Sequence, residues 1–327
     1  MSYDNIKLEK GLYTTGKGFT KSLEDLDPSE NYIGTELEGL DAYQRQLKRF
    51  DIKVSGAGSD SVSKFFQTTD SSALFPEYVS RAVRQGMEEN DILGKIVAST
   101  TNIDSLDYRA IESVPLDEDK ELSDVAEGAQ IPQTVIRTKE TLTPLKKRGR
   151  MLIASYEAIK FQKLDVFTVT LKQIGAYIAK SQVKDAIDAI CDDGIEIMNI
   201  KGSEIEYSDL VNLWNSFSPY NLTTILAGPN EIAKLLNMSE FKDSYAGLNF
   251  HATGDMITPL GAELIKVDHI SNGFLGLDKS CAVEKVQAGG VLTDFDKLID
   301  RQLERAAVTS IAGFSKIFSG ASKLLSV

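Results

Sequence analysis

Residues 125–160 read VAEGAQIPQTVIRTKETLTPLKKRGRMLIASYEAIK, and this is the most informative stretch of the chain. It joins a tip punctuated by glycine and proline to a basic segment with strand-like alternation, which then runs into a helix start. We interpret it as the tip and returning strand of a long β-arm that is anchored on a compact body. Such an arm is suited to reaching a neighbouring molecule rather than to forming a pocket.

The arm belongs to an extended loop, residues 104–150, whose two limbs carry opposite charge. The acidic residues of the rising limb are Asp104, Asp107, Glu112, Asp117, Glu118, Asp119, Glu121, Asp124 and Glu127. The basic residues of the descending limb are Arg137, Lys139, Lys146, Lys147, Arg148 and Arg150. The limbs either pair with each other across one hairpin or match neighbouring copies of the chain, where charge complementarity sets the register.

The charges alone do not separate these two interpretations, but the length of the loop favours the second. A projecting loop of this size is too long for a simple turn and is often functional. The predicted contacts between subunits are Glu127, Arg137, Lys139, Lys146, Lys147, Arg148 and Arg150.

The composition limits the classes of protein to which the chain can belong. The chain has 327 residues, 42% of them hydrophobic, and a net charge of −12, so it can bury a core and is acidic. An acidic balance argues against broad binding to phosphate backbones. No apolar run is long enough for a membrane span, and the first residues lack the apolar core of a secretion signal. Cys191 and Cys281 match no metal spacing, so we expect free or buried thiols in a reducing compartment.

The first third of the chain has uneven organisation. Residues 1–35 are polar and broken by glycine, so we predict an extended arm, followed by a short amphipathic helix within residues 36–50. Residues 55–63 have the composition of a flexible linker. A phosphate-binding loop is the alternative for that stretch, but it lacks the Lys-Ser/Thr ending and the preceding strand. Pro76 suits the first turn of a helix.

A long helix is predicted over residues 165–190. Phe167, Leu171, Ile174 and Ile178 recur at helical spacing and mark one buried stripe. Gly194 suits a left-handed residue beyond its end. A helix of about 25 residues spans nearly 40 Å, so it is either the spine of a flat molecule or an ordinary core helix.

The remaining sequence alternates helices and strands, which indicates an α+β fold. Trp214 lies on an apolar stripe and is predicted to be core. The expected elements are a helix at 207–217, a strand at 222–227, a helix at 231–236, a loop at 249–257, a strand at 262–267, two short strands at 276–286, an outward turn at 291–298 and a final strand at 303–318.

Catalytic constellations are nearly absent from the sequence. His251 and His269 have no nucleophile or third ligand at a matching spacing, and no hydrolase or metal motif occurs. Residues 117–119 are interpreted as a solvated loop tip rather than a cation site. We therefore predict no catalytic residue, cofactor or metal, and we regard an unrelated mixed α/β enzyme as the weaker alternative.

The order of these parts resembles the major capsid protein of tailed bacteriophages, which has the Hong Kong 97-type fold. The resemblance covers residues 65–320. The segments that carry it are ALFPEYVSRAVR at 73–84, AEGAQIP at 126–132, LTPLKKRGRMLIASYEAI at 142–159, LAGPNEIAKL at 226–235 and PLGAELIKVDHI at 259–270.

The resemblance implies an α+β, Hong Kong 97-like fold in six parts. These are an N-terminal arm with a short helix (1–64), a first part of the peripheral domain (65–103), the extended β-hairpin loop (104–150), the peripheral domain with the spine helix (151–194), an axial domain (195–290) and a final peripheral strand (291–327).

The resemblance also implies a function. Copies of the chain are expected to form pentamers and hexamers that close an icosahedral shell, which holds double-stranded DNA by confinement. Scaffolding, portal and decoration proteins are expected partners, with no membrane, and the virion is assembled in the cytoplasm of a bacterial host. An encapsulin-type nanocompartment shares the fold and is the alternative, although the long N-terminal region and loop favour the virus.

Some members of this family join a loop lysine to an asparagine of another subunit by an isopeptide bond. Residues 299–318 contain no asparagine as acceptor. We therefore expect a shell without this covalent crosslink, held by interlocking arms and loops.

Overall fold

A computed structural model describes residues 3–13, 18–112, 124–128, 137–155, 157, 161–192, 194–243, 256–270, 272–298 and 303–327. Its helices are α1 (Phe19–Leu26), α2 (Ala42–Arg49), α3 (Thr69–Ser72), α4 (Phe75–Glu89), α5 (Leu164–Asp192), α6 (Tyr207–Ser216), α7 (Pro229–Leu236) and α8 (Ser239–Lys242). Its strands are β1 (Ser99–Ile103), β2 (Ile111–Glu112), β3 (Arg137–Thr138), β4 (Lys146–Ser155), β5 (Glu196–Asn199), β6 (Thr224–Ala227), β7 (Glu263–Lys266), β8 (Gly273–Leu277), β9 (Val283–Ala288), β10 (Leu292–Leu298), β11 (Leu303–Lys316) and β12 (Ser322–Ser326). The predicted α+β class is confirmed.

The chain divides into two compact units, and each has its own hydrophobic core. The first unit contains residues 1–90, 147–178 and 290–310; the second contains residues 91–146, 179–289 and 311–327. Helix α5 and strand β11 each begin in the first unit and end in the second.

In the first unit, α4 and α5 approach each other closely at two glycines. A Cβ atom on Gly86 would lie 2.1 Å from the carbonyl oxygen of Lys172, and one on Gly175 would lie 2.1 Å from that of Val83. Real side chains do not fit at such distances, so the crossing depends on both glycines. Around it, the apolar residues of both helices form one core with α1 and α2.

The prediction of an extended arm is wrong for the described part of residues 1–35. Helix α1 packs Phe19 and Leu23 into the core of the first unit, where they are 2% and 0% exposed. A buried ion pair fastens this segment to α2, because Nε of Arg45 lies 2.8 Å from Oδ2 of Asp27 and both side chains are almost fully buried. The guanidinium also donates to the hydroxyl of Ser29. Burial of Phe19 and Leu23 therefore stabilises a packed helix, although most residues of the segment are polar.

The prediction of a flexible linker at residues 55–63 is also wrong. The backbone N–H of Val62 donates to the carbonyl of Gln162, and that of Leu164 donates to the carbonyl of Asp60. The side chain of Val62 is fully buried. The stretch is therefore fixed against the start of α5, a contact distant in sequence that composition does not reveal.

Several other expectations are confirmed. Helix α5 covers the predicted range and buries Leu171, Ile174 and Ile178. Gly194 follows it with a left-handed φ of 59°. Pro76 lies in the first turn of α4, as its missing N–H permits. Cys191 and Cys281 are not joined in a disulfide bond.

In the second unit, five strands form a sheet in the order β5-β12-β8-β6-β7. Strand β12 pairs in parallel with β5 and antiparallel with β8, so the expectation that β11 is the last strand is wrong. The expected outward turn at residues 291–298 is instead strand β10, which pairs antiparallel with β11 in the first unit. The partners of β12 lie far from it in the sequence, whereas β10 pairs with the next strand along the chain.

Candidate assembly surface

Strand β4 presents two chemically different faces, as a period of two requires. On one face, Nζ of Lys146 lies 2.9 Å from Oδ1 of Asp185 in the second unit. In the first unit, the guanidinium of Arg150 lies 5.3 Å from the ring centroid of Tyr177, and Leu152 packs against the core. Two of the predicted contact residues, Lys146 and Arg150, thus have partners within the chain.

The opposite side of β4 is exposed and largely apolar. Met151 is 52% exposed and Ile153 is 59% exposed. Lys147 precedes them on the same side of the strand and is also exposed. We call Lys147, Met151 and Ile153 the β4 face. Gly149, which lies between Lys147 and Met151 along the strand, packs against the backbone of β11. A Cβ atom on Gly149 would be 2.4 Å from the carbonyl oxygen of Val308.

A second exposed apolar set lies on the first-unit part of α5. Val166, Val169 and Tyr177 are 54%, 66% and 47% exposed, and we call them the α5 stripe. They lie away from the buried residues of the same helix. The sequence contained a signal for this stripe, namely apolar residues outside the buried repeat. The stripe was not predicted, because only the buried repeat of this helix was interpreted.

The base of the extended loop is a short antiparallel pair. Strand β2 pairs with β3, Ile111 opposite Thr138. Below this pair, the backbone N–H of Thr143 donates to the carbonyl of Tyr108 at 2.8 Å. The hydroxyl of Tyr108 donates to Oε1 of Glu284 on β9 at 2.7 Å. Burial, with this bond to a carboxylate, raises the pKa of Tyr108. The two limbs are thereby anchored on the second unit.

The other predicted contact residues occupy different positions along the loop. Glu127 is exposed in a turn, Arg137 is exposed on β3, and Lys139 and Arg148 are half-buried. Residues 113–123 and 129–136 lie outside the described residues, so the acidic cluster at 117–119 does as well. The matching of the acidic limb to neighbouring copies stays a prediction.

Trp214 is not core, contrary to the sequence prediction. It is 49% exposed on α6, whose buried apolar residues are Leu210 and Leu213. Both sides of this helix carry apolar residues at helical spacing, so periodicity alone did not identify the buried one.

No catalytic arrangement is evident in the described part of the chain. His269 is exposed, and His251 lies outside the described residues. Among the residues that the structure describes, no three histidine, cysteine or acidic side chains gather as metal ligands would. None of the described helices combines the length and the apolar character needed to cross a bilayer.

The architecture is the Hong Kong 97-type capsid fold, shared by solved shell proteins. The capsid protein of a native GTA particle is 11% identical, with a TM-score of 0.54 over 70% of this chain and 88% of that one. The capsid protein of the cyanophage P-SCSP1u is 13% identical, with a TM-score of 0.52 over 71% of this chain and 86% of that one. The SrpI encapsulin of Synechococcus elongatus is 12% identical, with a TM-score of 0.50 over 72% and 86%. No protein-family model matches the sequence, and no curated protein matches it.

Proposed function

We propose that this chain is the structural subunit of a tailed-phage capsid, which self-assembles through pentamers and hexamers into an icosahedral shell around double-stranded DNA. The observation that carries the proposal is a capsid fold with two exposed apolar surfaces, the β4 face and the α5 stripe. The capsid fold and these exposed surfaces agree with a role as a structural subunit rather than as an enzyme.

The exposed apolar residues favour association energetically. Full burial of an aliphatic side chain stabilises by about 1.5–3 kcal/mol, so a half-exposed Met151 or Ile153 gains about 1 kcal/mol when a neighbour covers it. Each gain is small against the cost of association. In a closed shell of pentamers and hexamers the copies make similar contacts, so that small gains are repeated around the particle.

Among the basic candidates, Lys147 is the best placed to contact another subunit. Lys146 and Arg150 have partners within the chain, whereas Lys147 is exposed beside Met151 and Ile153. An exposed cation at the rim of an apolar surface suits the acidic surplus of a second copy. We propose Glu127, Arg137, Lys139 and Arg148 as further contacts of the extended loop.

The remaining parts of the proposal follow from the fold family. The extended loop, the peripheral and axial segments, the confinement of DNA, and the scaffolding, portal and decoration partners all belong to it. So does the assembly of the particle in a bacterial cytoplasm. The absence of asparagine from residues 299–318 supports a shell without isopeptide crosslinks.

Electron microscopy of the purified full-length chain tests the proposal. We expect closed angular shells from the wild type, and a large loss of shells from Ile153→Asp because a charge then faces the neighbouring subunit. Ile33→Asp is the matched control, since Ile33 is 72% exposed in the first unit but lies outside both apolar surfaces. A wild-type chain that stays monomeric at every concentration, and with co-expressed partners, overturns the proposal.

An encapsulin-type shell is the second candidate, favoured by the likeness to the SrpI encapsulin. The same particles separate the two candidates by their contents. Large shells that package DNA in infected or induced cells identify a virus, whereas small uniform shells with protein inside identify a nanocompartment.

A further inference from the structure

The longest stretch of the chain without a charged residue is 210–230. Charged residues make up 26% of the whole sequence, so their absence over this stretch is unusual. Part of the stretch is core, because β6 is buried throughout. The rest includes the outward side of α6, where solvent exposure would favour charged side chains.

The outward side of α6 has the composition of an interface. Val211 is 37% exposed and Trp214 is 49% exposed, one turn apart on the same side of the helix. Asn215 and Ser218 beside them are exposed and uncharged. Within the described chain, no residue accepts a hydrogen bond from the indole N–H of Trp214. Depletion of charge and enrichment in tryptophan are typical of the centre of protein interfaces. We call Val211 and Trp214 the α6 patch.

We propose that the α6 patch is a contact between copies of this chain in the second unit, separate from the surfaces of the first unit; this inference rests on the proposed shell function. The net charge of the chain favours a second copy as the partner that binds this patch. Two copies with a net charge of −12 repel each other, and like charges that face each other at an interface make association costly. An uncharged apolar patch lets identical acidic chains meet without that cost, whereas a basic partner would be bound better by acidic side chains.

The experiment uses the single tryptophan of the chain as its probe. Because Trp214 is the only one, its emission maximum and its quenching by acrylamide report on this patch alone. Purified full-length protein is measured before and after assembly, and electron microscopy of the same samples records the shells. We expect a blue shift and a several-fold smaller quenching constant in the shells, since burial removes the indole from water.

Two substitutions complete the test. Trp214→Glu places a carboxylate in the contact and should raise the concentration needed for assembly by about tenfold or more, as loss of a central tryptophan contact does. Trp214→Phe keeps an apolar ring and should assemble near the wild-type concentration. Circular dichroism and monomer elution confirm that both variants fold, as expected for a half-exposed position.

The outcomes distinguish this inference from the proposed function. Shells in which the tryptophan signal does not change, or Trp214→Glu shells at the wild-type concentration, overturn the inference and leave the shell function standing. A wild-type chain that forms no shells under any condition overturns the shell function itself.

Discussion

At the scale of single residues, Asp278 shows how a buried carboxylate joins distant parts of the second unit. Its side chain accepts hydrogen bonds from the backbone N–H of Asn221 at 2.8 Å, the backbone N–H of Ser280 at 3.0 Å and the Ser280 hydroxyl at 2.6 Å. Burial by itself raises the pKa of Asp278, but these hydrogen bonds outweigh it, and the pKa is held below its ordinary value. The ionised form therefore stabilises the fold.

We expect Asp278→Asn to lower the free energy of unfolding by about 1–3 kcal/mol at pH 7, because a charged acceptor of several donors is lost. The folded pKa lies below the unfolded one, so this stabilisation is present above the unfolded pKa and is lost as pH falls through the folded pKa. Urea unfolding from pH 7 downward should show the wild type and the variant converging below about pH 4. Asp294→Asn, at an exposed carboxylate, is the control; a pH-independent gap contradicts the assignment.

Neither the structural role of Asp278 nor the exposure of Trp214 could be predicted from the sequence. Asp278 acquires its role from Asn221, which lies far from it along the chain. For Trp214, α6 has apolar residues on both sides, and only the position of the neighbouring sheet decides that Leu210 and Leu213 are the buried pair. In both cases the deciding contact is tertiary, whereas sequence patterns report local periodicity.

At the scale of elements, the crossing of α4 and α5 depends on glycine. Gly86 and Gly175 each place a bare backbone against a carbonyl of the other helix. Glycine inside a helix costs about 1 kcal/mol relative to alanine. The two glycines therefore lower the helix propensity of α4 and α5, but they allow the two backbones to pack closely.

We expect Gly175→Ala and Gly86→Ala to destabilise the first unit by several kcal/mol each, despite the better helix propensity of alanine. The added methyl meets a backbone carbonyl, which a rotamer change cannot relieve, so the helices must move apart. Thermal unfolding followed by circular dichroism measures the loss. Gly58→Ala is the control, because no atom lies within 4 Å of its added Cβ and its stability should change little. Wild-type stability in both helix variants contradicts the close crossing.

How well each element could be predicted depends on where its determinants lie. Helix α5 was predicted almost to its ends, because its apolar repeat and Gly194 are local signals. Strand β12 was not, because its partner β8 lies about 50 residues away in the sequence. Strand β10 was predicted to be a turn, although it pairs with β11, the next strand along the chain. Helix α1 is short, and the polar residues around it obscured the spacing of Phe19 and Leu23.

At the scale of the whole molecule, net charge determines how identical copies meet. Every copy carries −12, so the shell proposed here must overcome mutual repulsion. Basic residues on an acidic chain are then most useful where a neighbouring copy lies. The sequence predicted a basic cluster at 146–150, and the structure separates its members by the face of β4 on which they lie.

Reversing the charge of Lys147 removes an attraction to the neighbouring acidic copy and adds a repulsion, without breaking a contact that is known within the chain. We expect Lys147→Glu to weaken assembly, with the largest loss at low salt, because the Debye length shortens from about 30 Å at 0.01 M to about 10 Å at 0.1 M ionic strength. Light scattering during assembly over this range of ionic strength measures the effect.

Two controls make the result specific to Lys147. Lys48→Glu changes the net charge by the same amount at an exposed position on α2, and it should show only the weak effect of a more negative chain. Lys146→Glu breaks the ion pair with the buried Asp185, so it should lower the unfolding midpoint of the monomer, which Lys147→Glu should leave unchanged. If Lys147→Glu assembles like Lys48→Glu at every ionic strength, the β4 face is not a contact between copies, and the basic return strand serves the fold of its own chain.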